Sequence, residues 1–254
     1  MNSHKSHEDQ VSRNINGIGQ DTAFKKLSRD WLEKSARHGY SYNFKWLGRP
    51  IIQYPQDIVA MQELLWSIKP DLIIEAGIAH GGSLIFNASM LGLLDFVDMK
   101  SGKTKIERKV LGIDIDIRPH NLEAINNHPL SDYIKMIQGS SISQVVIGEV
   151  HEFAKKFNNV LVILDSNHTH EHVLRELEAY ANLVTVGSYC VVFDTVVEDM
   201  PKDLFLHRPW GPGDNPKTAV RQFLQTHDNF QVDRELENKL QITVAPEGYL
   251  KRMF

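Results

Sequence analysis

Pro70-Asp71-Leu72-Ile73-Ile74-Glu75-Ala76-Gly77-Ile78-Ala79-His80-Gly81-Gly82-Ser83 is the stretch whose reading decides the fold. Leu72 to Ala76 is short, aliphatic and bounded by Pro70 and Gly77, which suits a strand buried on both faces of a parallel sheet. The run ends in a carboxylate, Glu75, and breaks into a turn where Gly77, Gly81 and Gly82 let backbone approach a ligand closely. Ser83 can open the helix that continues through Ile85, Phe86, Ala88 and Leu91. A strand, a glycine turn and a helix N-terminus together form a site for nucleotide-like ligands in α/β folds. The spacing Gly77-x-x-x-Gly81-Gly82 is not the dinucleotide pattern G-x-G-x-x-G, and no G-K-[ST] follows for a phosphate loop. The competing reading is a tight turn with no ligand.

Outward from this turn the chain alternates strands with helices. Val110 to Arg118 reads as a second strand with acids at its carboxyl end, where Asp114, or after it Asp116, can accept hydrogen bonds from ribose hydroxyls. Tyr133 to Gln138 is a third strand, followed by the turn Gly139-Ser140-Ser141 and a helix over 142–157. Val160 to Asp165 and Ser188 to Asp194 are the fourth and fifth strands, and both end in a carboxylate. The pattern predicts a Rossmann-like α/β fold, a mostly parallel, doubly wound sheet with helices on both faces. Ligands gather at the carboxyl ends of such strands, so Glu75, Asp114, Asp165 and Asp194 should converge on one edge.

Upstream, residues 1–20 are polar and glycine-dotted and read as a disordered tail. Asp21 or Thr22 can cap a helix with Phe24, Leu27, Trp31 and Leu32 as its apolar stripe. Trp46 to Pro50 is a turn, and Pro55 suits the start of a helix carrying Ile58, Met61, Leu64, Leu65 and Ile68. Residues 21–69 therefore form an N-terminal helical extension or lid, and residues 70–254 the catalytic domain. Downstream, Thr195 to Asn215 is a long proline- and glycine-rich loop around Trp210. Asn215 can cap a helix begun by Pro216, and Phe230–Val232 and Leu240–Val244 read as two closing strands.

The 254 residues, 42% hydrophobic and 24% charged, are ordinary for a globular protein. A net charge of -4 gives no general attraction to nucleic acid or to an anionic membrane. The single cysteine, Cys190, excludes an intramolecular disulfide and favours a reducing compartment. With neither a signal-peptide core nor an uninterrupted membrane span in view, the expected location is cytoplasmic.

The pattern E-x-G-x-x-x-G-G-S resembles the first motif of class I methyltransferases. Together with Trp46-Leu47-Gly48, Gly112 to Arg118, Gly139-Ser140-Ser141, Leu164 to His170 and Asn215-Pro216, it resembles the cephalosporin hydroxylase and rhamnosyl O-methyltransferase family over roughly residues 45 to 250. That resemblance implies an S-adenosylmethionine site, a divalent metal such as Mg2+ and a homo-oligomer. It implies that Glu75, Gly77, Gly81, Gly82 and Ser83 surround the methionine and ribose end, Asp114 the ribose, and Ser140 or Ser141 the adenine edge. It also implies that Asp165 and Asp194 hold the metal. The residue before Asp194, often a second acid in related magnesium-dependent enzymes, is Phe193 here. Glu198, Asp199, an amide or waters would then complete the shell.

Methyl transfer from a sulfonium needs an in-line oxygen nucleophile, and an alcohol needs a base or metal to help remove its proton. Asp165-Ser166-Asn167-His168-Thr169-His170-Glu171-His172 supplies both kinds of help at one strand end, with Asp165, Asn167 and His168 as candidate catalytic residues. His168 is the preferred base, since an imidazole titrates near neutral pH. The alternatives are a zinc pair from His168 and His172, and histidines that cap the following helix. Val196 to Asp214, with Phe205, His207 and Trp210, reads with the Phe24 to Trp31 helix as a lid over a polar acceptor. The function expected is a metal-assisted O-methyltransferase acting on a sugar or other hydroxylated small molecule. A nicotinamide-dependent oxidoreductase and a non-catalytic nucleotide-binding subunit are the alternatives.

Overall fold

The computed structural model describes residues 2–104 and 106–254. Two helices, α1 (Asn2–Gln20) and α2 (Thr22–Arg37), precede a hairpin of β1 (Phe44–Trp46) and β2 (Arg49–Ile51). Then come α3 (Pro55–Ile68), β3 (Leu72–Ala76), α4 (Gly82–Lys100), β4 (Lys109–Asp114), α5 (Pro119–Asn126), β5 (Ile134–Gln138) and α6 (Gln144–Ala154). The chain continues through β6 (Val160–Leu164), α7 (His170–Tyr180), β7 (Tyr189–Val192), α8 (Pro216–Phe223), β8 (Phe230–Val232), α9 (Arg234–Leu240) and β9 (Tyr249–Arg252).

Seven strands form one sheet in the order β5-β4-β3-β6-β7-β9-β8. The five strands from β3 to β7 run parallel, and β9 joins β7 and β8 antiparallel. Ala76 pairs with both Ile113 and Leu164, and Leu164 with Val192, so the carboxyl ends of these strands finish level. Strand order reverses between β3 and β6, the point where a doubly wound sheet opens a crevice.

Alternation along each strand sorts side chains to the two faces. Leu72, Ile74, Val162 and Leu164 pack with α6, α7 and α8 residues such as Val150, Leu177 and Phe223. Ile73, Leu161, Ile163 and Val191 face the other way, toward Met61, Leu65, Leu91 and Leu32. The 21–69 segment therefore shares the core of the sheet. The same parity sends Glu75 and Asp165 to the α3 side together. Helix α4 has the length and apolarity of a membrane span, but half of it is buried in the body, as in a core helix.

The chain departs from expectation in several places. Residues 2–20 are helical rather than disordered, because Ile15 buries against the body and Gly19 passes close to Asn238 of α9. Asp21 caps α2 by accepting from the Phe24 N–H at 2.9 Å, yet Phe24 and Leu27 lie exposed and the inward face is Ser28, Leu32 and Ser35. Gly81, in the left-handed region, caps α4 in place of Ser83. Leu240 to Val244 is no strand: Thr243 and the Val244 N–H are tied to buried Asp57, and the closing strand is Tyr249–Arg252.

Gly82 is where the hairpin meets α4. A Cβ there would lie 2.1 Å from the Pro50 carbonyl oxygen, so Gly82→Ala has to push β2 off the helix. Overpacking of this kind costs about 1–3 kcal/mol. A fall in the urea midpoint at constant m-value is expected, and an unchanged midpoint would show that the hairpin yields freely.

Candidate active site

The turn after β3 is held in place by side chains from three directions. Asp114, at the end of β4, accepts from the backbone N–H groups of Ile78 at 2.8 Å and Ala79 at 3.3 Å. Arg49 of β2 donates to the His80 carbonyl and to Asn121, and Asn121 donates to the Ala79 carbonyl at 2.9 Å. The glycines serve these contacts directly. A Cβ on Gly77 would sit 2.0 Å from the Asp165 carbonyl oxygen, and one on Gly81 would meet the Ile125 side chain at 2.5 Å. Gly81 thus makes room for α5, and Gly77 lets β3 and the end of β6 close on each other.

Beneath the turn lies a small cavity of about 20 Å³, lined by Asp57, Glu75 and Asp165 together with Gln53, Ser83, Asn87 and Phe193. Glu75, 1% exposed, accepts from Ser83 and from Asn87 at 2.7 Å. Ser83, expected to open a helix, spends its hydroxyl on Glu75. The amide oxygens of Gln53 and Asn87 are buried without a partner among the described residues. Between mainly apolar walls, three carboxyls and two orphaned amide oxygens outnumber the donors of Ser83, Asn87 and Gln53, and such an excess of acceptors suits a cationic group. The amino-acid end of S-adenosylmethionine carries an ammonium group, so the donor set fits that molecule. Sequence reasoning passed over Gln53 and Asp57, whose place on this wall depends on how the hairpin and α3 dock.

Burial pushes the Glu75 carboxyl up to about 7, against the pull of Ser83 and Asn87. Burial raises Asp57 to about 6 despite Thr243, Val244 and Tyr249. Asp165 is pushed well above the usual carboxylate range, by burial first and then by the charges of Asp194 and Glu75.

Asp165, His168 and Asp194 present ligand atoms that all lie within 4.8 Å of one another. His168 Nε2 is 3.2 Å from an Asp194 carboxylate oxygen, and its ring meets Trp210 edge-on at 4.9 Å. Asp194 sits in the left-handed region at φ 55°, a strained conformation for a residue other than glycine. Two carboxylates and an imidazole suit a divalent cation. The expected helpers lie elsewhere: Glu198 accepts from Gly213 and Asn215, and Asp199 pairs with Lys217 at 2.7 Å. His168, not Phe193, is the residue that stands beside Asp165 and Asp194.

The other candidates divide. The Asn167 amide oxygen accepts from the Thr169 N–H at 3.0 Å and shapes the turn that carries His168. His170 faces Thr218 and Gln222 of α8, and His172 faces Ser141 and Glu176, so His172 is not paired with His168 as a zinc site would require. Ser140 is half-buried, whereas Ser141 is buried and turned inward to Glu176 rather than toward the crevice.

A cavity of about 460 Å³ opens beside His168 and Asp194, walled by Tyr42, Tyr54, Phe205, Trp210 and Arg208, with Leu32 and Ala36 of α2. The loop borders the cavity, but of α2 only Leu32 and Ala36 do and not the expected Phe24 to Trp31; Arg37 and Asp203 bridge loop and helix at 2.8 Å, and His207 is exposed and is not in the wall.

Because its folded pKa lies above the ordinary 4.5, Glu75 contributes stability that is complete below about pH 4.5 and lost as pH rises through about 7. Glu75→Gln should flatten the fall of Tm over that window in ligand-free protein. Scanning calorimetry of the two proteins checks this, and parallel curves would place the Glu75 carboxyl in water.

The family described as rhamnosyl O-methyltransferase/CmcI matches residues 38–253. The rhamnosyl O-methyltransferase of Mycobacterium bovis is 27% identical over 205 residues, covering 77% of this chain and 73% of its own. That of Mycobacterium leprae is 27% identical over 208 residues, covering 82% of each. Among solved structures, CmcI without ligand superposes with a TM-score of 0.56 at 18% identity, covering 84% of this chain and 77% of its own. CmcI with magnesium and S-adenosylmethionine gives 0.55 at 18% identity over 84% and 78%. With the family matched along most of its length and the sheet of a class I methyltransferase, this chain belongs to the rhamnosyl O-methyltransferase/CmcI family and is an S-adenosylmethionine-dependent O-methyltransferase.

Proposed function

We propose that the protein methylates a hydroxyl of a sugar or of a similarly hydroxylated natural product, with Asp165 and Asp194 holding a divalent cation and His168 removing the acceptor's proton. The observation that carries this is the Asp165–His168–Asp194 cluster, whose His168 and Asp194 line an aromatic-walled cavity at the carboxyl edge of the sheet. The relatives named for rhamnosyl methylation and the CmcI structure containing magnesium support the same reading.

On this reading Glu75 and Ser83 would receive the amino-acid end of the donor, Asp114 the ribose, and half-buried Ser140 the adenine edge. A divalent cation supplies Lewis acidity, which lowers the pKa of an alcohol bound to it. His168 Nε2 lies 3.2 Å from Asp194, so the Asp194 carboxylate would stabilise the imidazolium formed when His168 takes the proton. Tyr54, Phe205 and Trp210 offer apolar faces to a sugar ring and keep water from the transfer. We read the enzyme as cytoplasmic, in keeping with the free buried thiol of Cys190, and as a homo-oligomer that would cover Leu93, Phe96 and Met99, each more than half exposed on α4.

The proximity of all three ligand atoms favours a second role for His168, as a third metal ligand, and His168→Gln separates the two. Loss of the base should cut kcat by about 10²–10⁴ with cation affinity unchanged, whereas loss of a ligand should weaken the cation first.

Asp165→Ala and Asp194→Ala should abolish magnesium stimulation, and cation affinity in the wild type should rise with pH, since Asp165 must lose a tightly held proton to bind. Titration calorimetry at pH 6 and 8 checks both; variants with intact activity and metal content would make the carboxylates structural. Trp210→Ala should raise KM for the acceptor far more than Kd for S-adenosylhomocysteine. Equal losses, accompanied by lower Tm, would assign Trp210 to the core.

A further inference from the structure

Glu176 of α7 is fully buried, and the mechanism above does not use it. One of its carboxylate oxygens accepts from Ser141 Oγ at 2.5 Å and from Ser166 Oγ at 2.6 Å, with His172 Nε2 3.3 Å away. The other oxygen is buried without a partner among the described residues. Ser141 follows β5 and Ser166 follows β6, strands that β4 and β3 separate in the sheet. The turn after β5 therefore crosses the carboxyl edge to reach the carboxylate, and Tyr180 of α7 fastens it there by donating to the Ser141 carbonyl. Ser166 is bonded directly to Asp165, so the same carboxylate also fixes the peptide that enters the cation site.

A carboxylate placed this deep pays a large desolvation cost, and an apolar side chain of similar size, packed among Val173, Leu177 and Tyr180, would stabilise the fold at least as well. What the carboxylate adds is directional: two hydroxyls on two different strand-end turns are held at one point. We propose that Glu176 is a positioning residue, which sets the turns carrying Ser140–Ser141 and Ser166 so that together they grip the adenosyl end of the methyl donor. This rests on the reading that the donor lies along that edge.

The test is calorimetric titration of the protein, freed of bound nucleoside, with S-adenosylhomocysteine, paired with thermal melts. Glu176→Met removes the carboxylate while keeping volume; it should hold Tm within a few degrees of the wild type and weaken binding about tenfold. Glu176→Gln, which keeps an acceptor oxygen, should recover most of that loss. Ser166→Ala should weaken binding several-fold by itself and add little on top of Glu176→Met, because both remove the same link. Should Glu176→Met fail to fold, Ser141→Ala and Ser166→Ala carry the test, each expected to weaken binding several-fold. Wild-type affinity in the substituted proteins, with or without a lowered Tm, overturns the role. A wild type that does not bind S-adenosylhomocysteine overturns the donor reading itself.

Discussion

The site depends on one close approach: the Gly77 backbone lies against the Asp165 carbonyl, at a spacing that no side chain on residue 77 permits. Parallel pairing of β3 with β6 brings these residues level, and the missing Cβ lets the ends of the two strands close. Strand parity then turns Glu75 and Asp165 to the same face, toward α3 and the hairpin. From there Asp194 follows one strand over, on a backbone held in a left-handed turn, and His168 reaches it from the loop that β6 launches.

Such convergence of carboxyls is costly by itself. Asp57, Glu75 and Asp165 share a poorly solvated wall, and burial raises all three carboxyl pKa values. Amide oxygens on Gln53 and Asn87, without a partner among the described residues, add to the surplus of acceptors. A divalent cation at Asp165 and Asp194 and a positively charged methyl donor at Glu75 would each offset part of that repulsion. By linkage, each would also stabilise the fold on which it is bound. The electrostatics of the ligand-free chain and the chemistry of methyl transfer therefore point to the same two ligands.

Local pattern made much of this legible in the sequence. The aliphatic run before Gly77, the acids closing the strands, and the Asn215-Pro216 start of α8 are signals contained within a few residues. The proposed cation cluster was half legible: Asp165 and Asp194 fall at strand ends, but the rest of the shell was sought at Glu198, Asp199, an amide or waters, and only the path of the chain shows the two acids bound to Gly213, Asn215 and Lys217. Glu176 reads as one more acid on an amphipathic helix, and nothing near it in sequence marks the hydroxyls it gathers from Ser141 and Ser166. Helix α1 was missed because its polarity resembles that of a solvated tail; burial of the single Ile15 and packing on α9 supply what composition does not. Leu240 to Val244 carries strand-like residues, but Leu240 ends α9 and the Val244 N–H is claimed by Asp57 instead of a neighbouring strand.

Anomalous diffraction from crystals grown with manganese and S-adenosylhomocysteine tests the central claim most directly. A single peak about 2.0–2.2 Å from carboxylate oxygens of both Asp165 and Asp194, facing the aromatic-walled cavity, is the predicted result. A peak held by other residues, or none at the ends of β6 and β7 in crystals that contain the bound nucleoside, would contradict it.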